Sequence, residues 1–116
     1  MEMLSKNEML GAINAVRVHN SEKVIDFERS EITTNIEYID DENDEYNVEC
    51  VDMIGGNEGD GEDMECTIKV TRKEDNSFGY LTFYGYHNSW ADSYFHTIKC
   101  TVPEEKVIIV YTEIKS

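Results

Sequence analysis

Apolar residues recur at helical spacing near the start of the chain and at every second position through most of the rest. Met9, Leu10, Ile13 and Val16 lie three or four residues apart, the spacing of one helix face. Asn7, Gly11 and Asn14 fall on the other side. Just upstream, Ser5-Lys6-Asn7-Glu8 has the form of a capping box, in which Ser5 accepts from the backbone three residues on and Glu8 reaches back. The pattern predicts an amphipathic helix over 5–19, with Asn20-Ser21 as its stop. Gly11 weakens that helix by about 1 kcal/mol relative to alanine, so it is expected to need tertiary packing.

Beyond the helix the period changes to two. Ile25 and Phe27 alternate with Asp26 and Glu28, and Ile32, Thr34, Ile36 and Tyr38 alternate with Thr33, Asn35 and Glu37. Such alternation predicts strands with one wet face. Tyr46 to Met53 reads as a strand of mixed faces. Met64, Cys66, Ile68 and Val70 give the clearest alternation in the chain. Glu74-Asp75-Asn76-Ser77 reads as a turn. Tyr80 to Tyr86 then forms the second arm of a hairpin, with Tyr80, Tyr84 and Tyr86 on one face and Leu81 and Phe83 on the other. Tyr94 to Cys100 and Lys106 to Ile114 complete the series, and Val107 to Val110 reads as a central strand. The expectation is one α+β domain over 1–116. An N-terminal helix packs on an antiparallel sheet of about six strands spanning 23–115.

Charge alters this picture more than composition does. The 116 residues carry 25 Asp and Glu against 10 Lys and Arg, a formal net charge of −15. Within 22–65 there are 17 acidic residues, with only Lys23 and Arg29 to offset them, so this segment holds the whole excess. Direct binding to a phosphate backbone or an anionic membrane is excluded on that ground. The run Asp40-Asp41-Glu42-Asn43-Asp44-Glu45 is expected to be exposed and without tight structure, because adjacent carboxylates repel. Solubility needs a net charge of only about 2–8 in a small domain. The excess points to a negative surface that imitates the phosphates of a nucleic acid and fills a basic groove. Its expected members are Asp26, Glu28, Glu37, Asp40, Asp41, Glu42, Asp44, Glu45, Glu49, Asp52, Glu58, Asp60, Glu62 and Asp63. Carboxylates two residues apart on one strand face lie ~6.6 Å from each other, a spacing that permits such imitation.

Other chemistry is poorly supported. Cys50, Cys66 and Cys100 form no C-x-x-C pair and read as buried, reduced thiols. His87, His96 and Cys100 lack a fourth ligand at a diagnostic spacing. Asp41-x-Asn43-x-Glu45 and Glu58-x-Asp60-x-Glu62 place oxygens at alternate positions, the basis of a calcium reading, but neither fits an EF-hand loop. The Gly55–Gly61 stretch is full of carboxylates and would repel phosphate. No catalysis, no metal and no cofactor are expected. No run of apolar residues is long enough to span a bilayer, and MEMLSKNEML has no signal-peptide character, so a cytoplasmic location is expected. Tyr86 and Trp90, in the turn Tyr84-Gly85-Tyr86-His87-Asn88-Ser89-Trp90, suit either core packing or the anchor of an interface.

Three segments together carry a resemblance. They are GGNEGDGED at 55–63, Phe83-Tyr84-Gly85-Tyr86-His87-Asn88-Ser89-Trp90, and Val102-Pro103-Glu104-Glu105-Lys106 leading to Val110-Tyr111. The chain here resembles a group of small acidic proteins encoded by bacteriophages, with His87 standing where a second aromatic is expected. The resemblance implies a phage or prophage origin. Acidic phage proteins of this size are similar in character to inhibitors of restriction enzymes and CRISPR nucleases. By that analogy the partner is a basic, nucleic-acid-binding host nuclease. The alternatives are an accessory or assembly protein that binds through the aromatic turn, and a calcium-dependent binding module.

Overall fold

A computed structural model of the chain describes residues 3–33, 36, 39–54, 62–87, 94–103 and 114, with the backbone alone at 62 and 87. Helix α1 runs Lys6–His19. Ser5 is its N-cap, and its hydroxyl accepts from the Glu8 N–H at 3.2 Å. Only that half of the expected capping box forms, because the Glu8 carboxylate is engaged by Tyr46 and Arg72. Asn20 closes the helix, and Ser21 follows with φ 63°.

Five strands follow among the described residues: β1 (Asp40–Glu42), β2 (Tyr46–Ile54), β3 (Glu62–Arg72), β4 (Phe78–His87) and β5 (Tyr94–Thr101). They form one antiparallel sheet in the order β1-β2-β3-β4-β5, each strand beside its sequence neighbour. The sheet is thus a five-stranded meander where about six strands were expected. The expected strand over 106–114 and the loop over 55–61 lie outside the described residues, apart from Ile114.

The helix covers one face of the sheet. Met9, Ala12, Ile13 and Val16 are buried against Val48, Met64, Cys66, Ile68, Val70, Leu81 and Phe83. Gly79 and Gly85 of β4 point toward this same face, and each leaves room for a close approach. A Cβ on Gly79 would lie 2.7 Å from the Met9 sulfur, and one on Gly85 only 2.1 Å from the Tyr94 carbonyl oxygen.

The strand expected over 25–28 does not form, and most of the one expected over 32–38 lies outside the described residues, which include only Ile32, Thr33 and Ile36 of it. Ile32 makes an isolated bridge to Phe95, Ile25 and Ile36 are buried outside the named strands, and the Ile39 carbonyl accepts from the Cys50 N–H of β2 at 2.7 Å. Helix side chains supply the hydrogen bonds that a neighbouring strand would have given. Asn14 accepts from the Ile25 N–H at 2.7 Å and donates to the Ile25 carbonyl at 3.0 Å. Arg17 Nε donates to the Lys23 carbonyl at 3.0 Å, and its guanidinium pairs with Glu22 at 2.9 Å. Asn14 is therefore half-buried and holds the following segment, contrary to its expected place on the wet side of the helix.

Candidate functional site: an acidic edge on the open face of the sheet

The face of the sheet away from the helix is built by strict register. Asp40 stands opposite Glu49, and Glu42 opposite Asn47. Glu49 faces Lys69 on its other side. The alternation of β2 breaks at Val51, an extra residue between Cys50, paired with Ile68, and Asp52, paired with Thr67. Without this bulge Asp52 would point toward the core with Val48 and Cys50. With it, Asp52 turns to the open face beside Glu49. Asp63 and Glu65 of β3 share that face, opposite Tyr86 and Tyr84.

Few of these charges are neutralised. Among the described residues, cations pair only with Glu8, Glu22, Glu42 and Asp75. Lys73 holds Glu42 at 2.6 Å, which keeps that carboxyl below its ordinary range. Lys69, directly opposite Glu49, makes no such pair. Its ammonium lies over the Phe78 ring, 4.9 Å from the centroid. Asp40 and Glu49 thus form a like-charged cross-strand pair, an arrangement that costs stability.

The run at 40–45 is more ordered than its charge predicts. Asp40–Glu42 is an edge strand, and Asn43 organises the turn after it by accepting from the N–H groups of Glu45 and Tyr46 at 2.9 and 2.7 Å. Lys73 binds this turn as well, donating its backbone N–H to the Glu45 carbonyl. Pairing along one edge and a nearby lysine offset the repulsion. Asn43 is thereby committed to the turn, which removes the middle ligand from the calcium reading of Asp41-x-Asn43-x-Glu45. Asp44 and Glu45 remain exposed.

The other expected members are distributed differently. Asp41 faces the helix layer and is half-buried. Burial raises its carboxyl pKa, and Glu22 and Asp40 add to the rise against the pull of Arg17. Asp26 and Glu28 are exposed on the segment that packs with the helix, where Phe27 meets Phe83 at 6.0 Å between ring centroids. They stand on the helix side, apart from Asp40, Glu49 and Asp52. Glu37, Glu58, Asp60 and Trp90 lie outside the described residues, as does the Glu62 side chain. Among the described residues, the acidic side chains of 22–65 therefore stand on both sides of the sheet.

Farther along the open face stand the aromatics. Tyr80, Tyr84 and Tyr86 line β4 as the alternation predicts. Tyr86 lies opposite Tyr94, with ring centroids 6.4 Å apart. Thr67, Thr82 and Thr101 link β3, β4 and β5 through hydroxyl contacts of 2.9 Å each, a feature the sequence reading missed. Thr67, Thr82 and Thr101 lie 15 and 19 positions apart in the chain, so no local spacing announces the ladder, which exists only once the strands are in register.

The thiols differ from expectation. Cys66 is buried, but Cys50 is half-buried and Cys100 exposed. The Cys50 and Cys66 sulfurs lie 3.5 Å apart. His96 is exposed and bonded to Thr97 at 2.8 Å. Among the described residues no group of three or more His, Cys, Asp or Glu could hold a metal ion, and no helix is long and apolar enough to cross a membrane.

Compared with known protein families, curated proteins and solved structures, the chain matches none.

Proposed function

We propose that this chain is a non-enzymatic inhibitor, of phage origin, that occupies a basic nucleic-acid groove on a host defence nuclease, a CRISPR effector or a restriction enzyme. The observation that carries the reading is the Asp40–Glu49 pair, with Asp52 turned beside it by the Val51 bulge. Two carboxylates set opposite each other lower stability, while the one lysine in register is drawn away to Phe78. A partner's Lys and Arg relieve that repulsion on binding. The carboxylates at the exposed turn, Asp44 and Glu45, extend the same negative edge. Complementary potential of this kind speeds association and selects basic partners. Inhibition follows by occlusion, because the groove then cannot hold DNA or guide RNA.

The test is capture from bacterial lysate followed by mass spectrometry, with competition by duplex DNA. A nuclease should be recovered, and DNA and salt should both displace it. The triple variant Asp40→Asn, Glu49→Gln, Asp52→Asn should lose it. Capture that survives the triple variant and ignores DNA would refute mimicry.

A second reading rests on Tyr86 and Tyr94, which share the open face at the other end of the sheet from β1. An accessory or assembly protein would bind through these rings. In that case Tyr86→Ala abolishes capture and the triple variant does not, and the recovered proteins are virion components.

A further inference from the structure

The open face carries a groove of about 580 Å³ between the acidic edge and the threonine ladder. Glu49 and Asp52 of β2 line it on one side, and Thr67, Tyr80, Thr82 and Thr101 of β3, β4 and β5 line it toward the other. We propose that this groove is a receptor for a single arginine side chain of the partner. The inference rests on the reading above and identifies the group recognised.

The acceptors are arranged for a guanidinium. The two contacts within the threonine ladder leave lone pairs unused along it, since each hydroxyl oxygen carries two. Thr82 is only 4% exposed, so the ladder is fixed in place. Opposite it stand two carboxylates that no cation of the described residues neutralises. Lys69 also borders the groove, but the Phe78 ring holds its ammonium. A planar fork of N–H donors can bridge carboxylates on one side and hydroxyls on the other while its face lies on the Tyr80 ring. An ammonium, compact and strongly hydrated, can satisfy one wall but has no face to stack. Charge complementarity therefore favours a cation, and the spread of acceptors around an aromatic ring favours arginine over lysine.

The test uses hexa-arginine and hexa-lysine peptides of equal charge, followed by NMR on the whole chain. Hexa-arginine should shift the methyl signals of Thr67, Thr82 and Thr101 and the ring signals of Tyr80, saturably. Hexa-lysine should move mainly the signals of Asp44 and Glu45. Glu49→Gln with Asp52→Asn should weaken hexa-arginine about tenfold. Asp44→Asn with Glu45→Gln removes the same charge outside the groove and should change that affinity little. Equal shifts by both peptides, or equal weakening by both variants, would overturn the proposal. The two readings fail separately. If hexa-arginine passes over the groove while the captured partner still competes with DNA, the receptor falls and mimicry stands. If hexa-arginine fills the groove but the partner ignores DNA, mimicry falls and the receptor stands.

Discussion

Arg72 Nη1 donates to both carboxylate oxygens of Glu8, at 3.1 and 2.9 Å, across 64 positions of sequence. Its other edge is held by Asp75, with Nε and Nη2 donating at 3.0 and 2.7 Å. Tyr46 adds its hydroxyl to Glu8 at 2.9 Å. One guanidinium thereby ties the first turn of the helix to the end of β3 and its turn. Arg72→Met should lower Tm more than Glu8→Gln or Asp75→Asn. The double variant Glu8→Gln, Arg72→Met should melt close to Arg72→Met alone, because both changes break one network. Additive losses in thermal melts would count against this coupling.

Acid titration should reveal the same cluster. The Arg72 hydrogen bonds, then those from Ser77, hold the Asp75 carboxyl well below its ordinary value of 3.8. A depressed folded pKa means that the unfolded chain binds more protons, so stability rises with pH. The contribution is complete above the ordinary value and is lost only as pH falls through the lower, folded one. The gap in stability between wild type and Asp75→Asn should hold steady from about pH 7 to pH 5 and close only in strong acid. A gap that closes near neutrality would contradict it.

Asp41 should behave in the opposite sense. Its folded pKa is raised by burial, so ionisation costs the folded state and stability falls as pH rises through that value. Asp41→Asn should raise Tm at neutral pH, and the gain should shrink in acid as the wild-type carboxyl takes up its proton. Urea denaturation at both ends of that range measures it.

Gly85 has no tolerable substitute. Its missing Cβ faces backbone, 2.1 Å from the Tyr94 oxygen and 2.9 Å from the Phe95 Cα, where the pairing of β4 and β5 shifts. Gly85→Ala should cost at least about 3 kcal/mol in equilibrium unfolding. Gly79→Ala should cost less, since the atom it meets first is the flexible end of Met9.

Ile13 tests the docking of the helix. It is fully buried, and Ile13→Asp would place an unpaired charge in the core. The loss should be several kcal/mol, on the order of 4 or more. A variant that melts like wild type would mean that the helix is peripheral.

The helix and the hairpin of β3 and β4 were readable because their periods are unbroken and both sides are paired. Met64, Cys66, Ile68 and Val70 all reach the core, as their alternation requires. The same alternation at Ile25 and Phe27 misleads, because Asn14 and Arg17 satisfy that backbone from the helix. A side chain that replaces a strand leaves no period to read. The acidic site was legible as an amount of charge and not as a surface. Its geometry depends on one inserted residue, Val51, which reverses the faces of everything after it in β2.

The position of β1 at the rim of the meander has one more effect. Among the described residues β1 pairs with β2 alone, and a rim strand of this kind offers unpaired backbone groups to another chain; this one is three residues long with a carboxylate at each. Asp40, Asp41 and Glu42 therefore act as gatekeepers against sheet-to-sheet growth. Stripping their charge would open the rim, so preparations of such variants should tend toward self-association at high concentration.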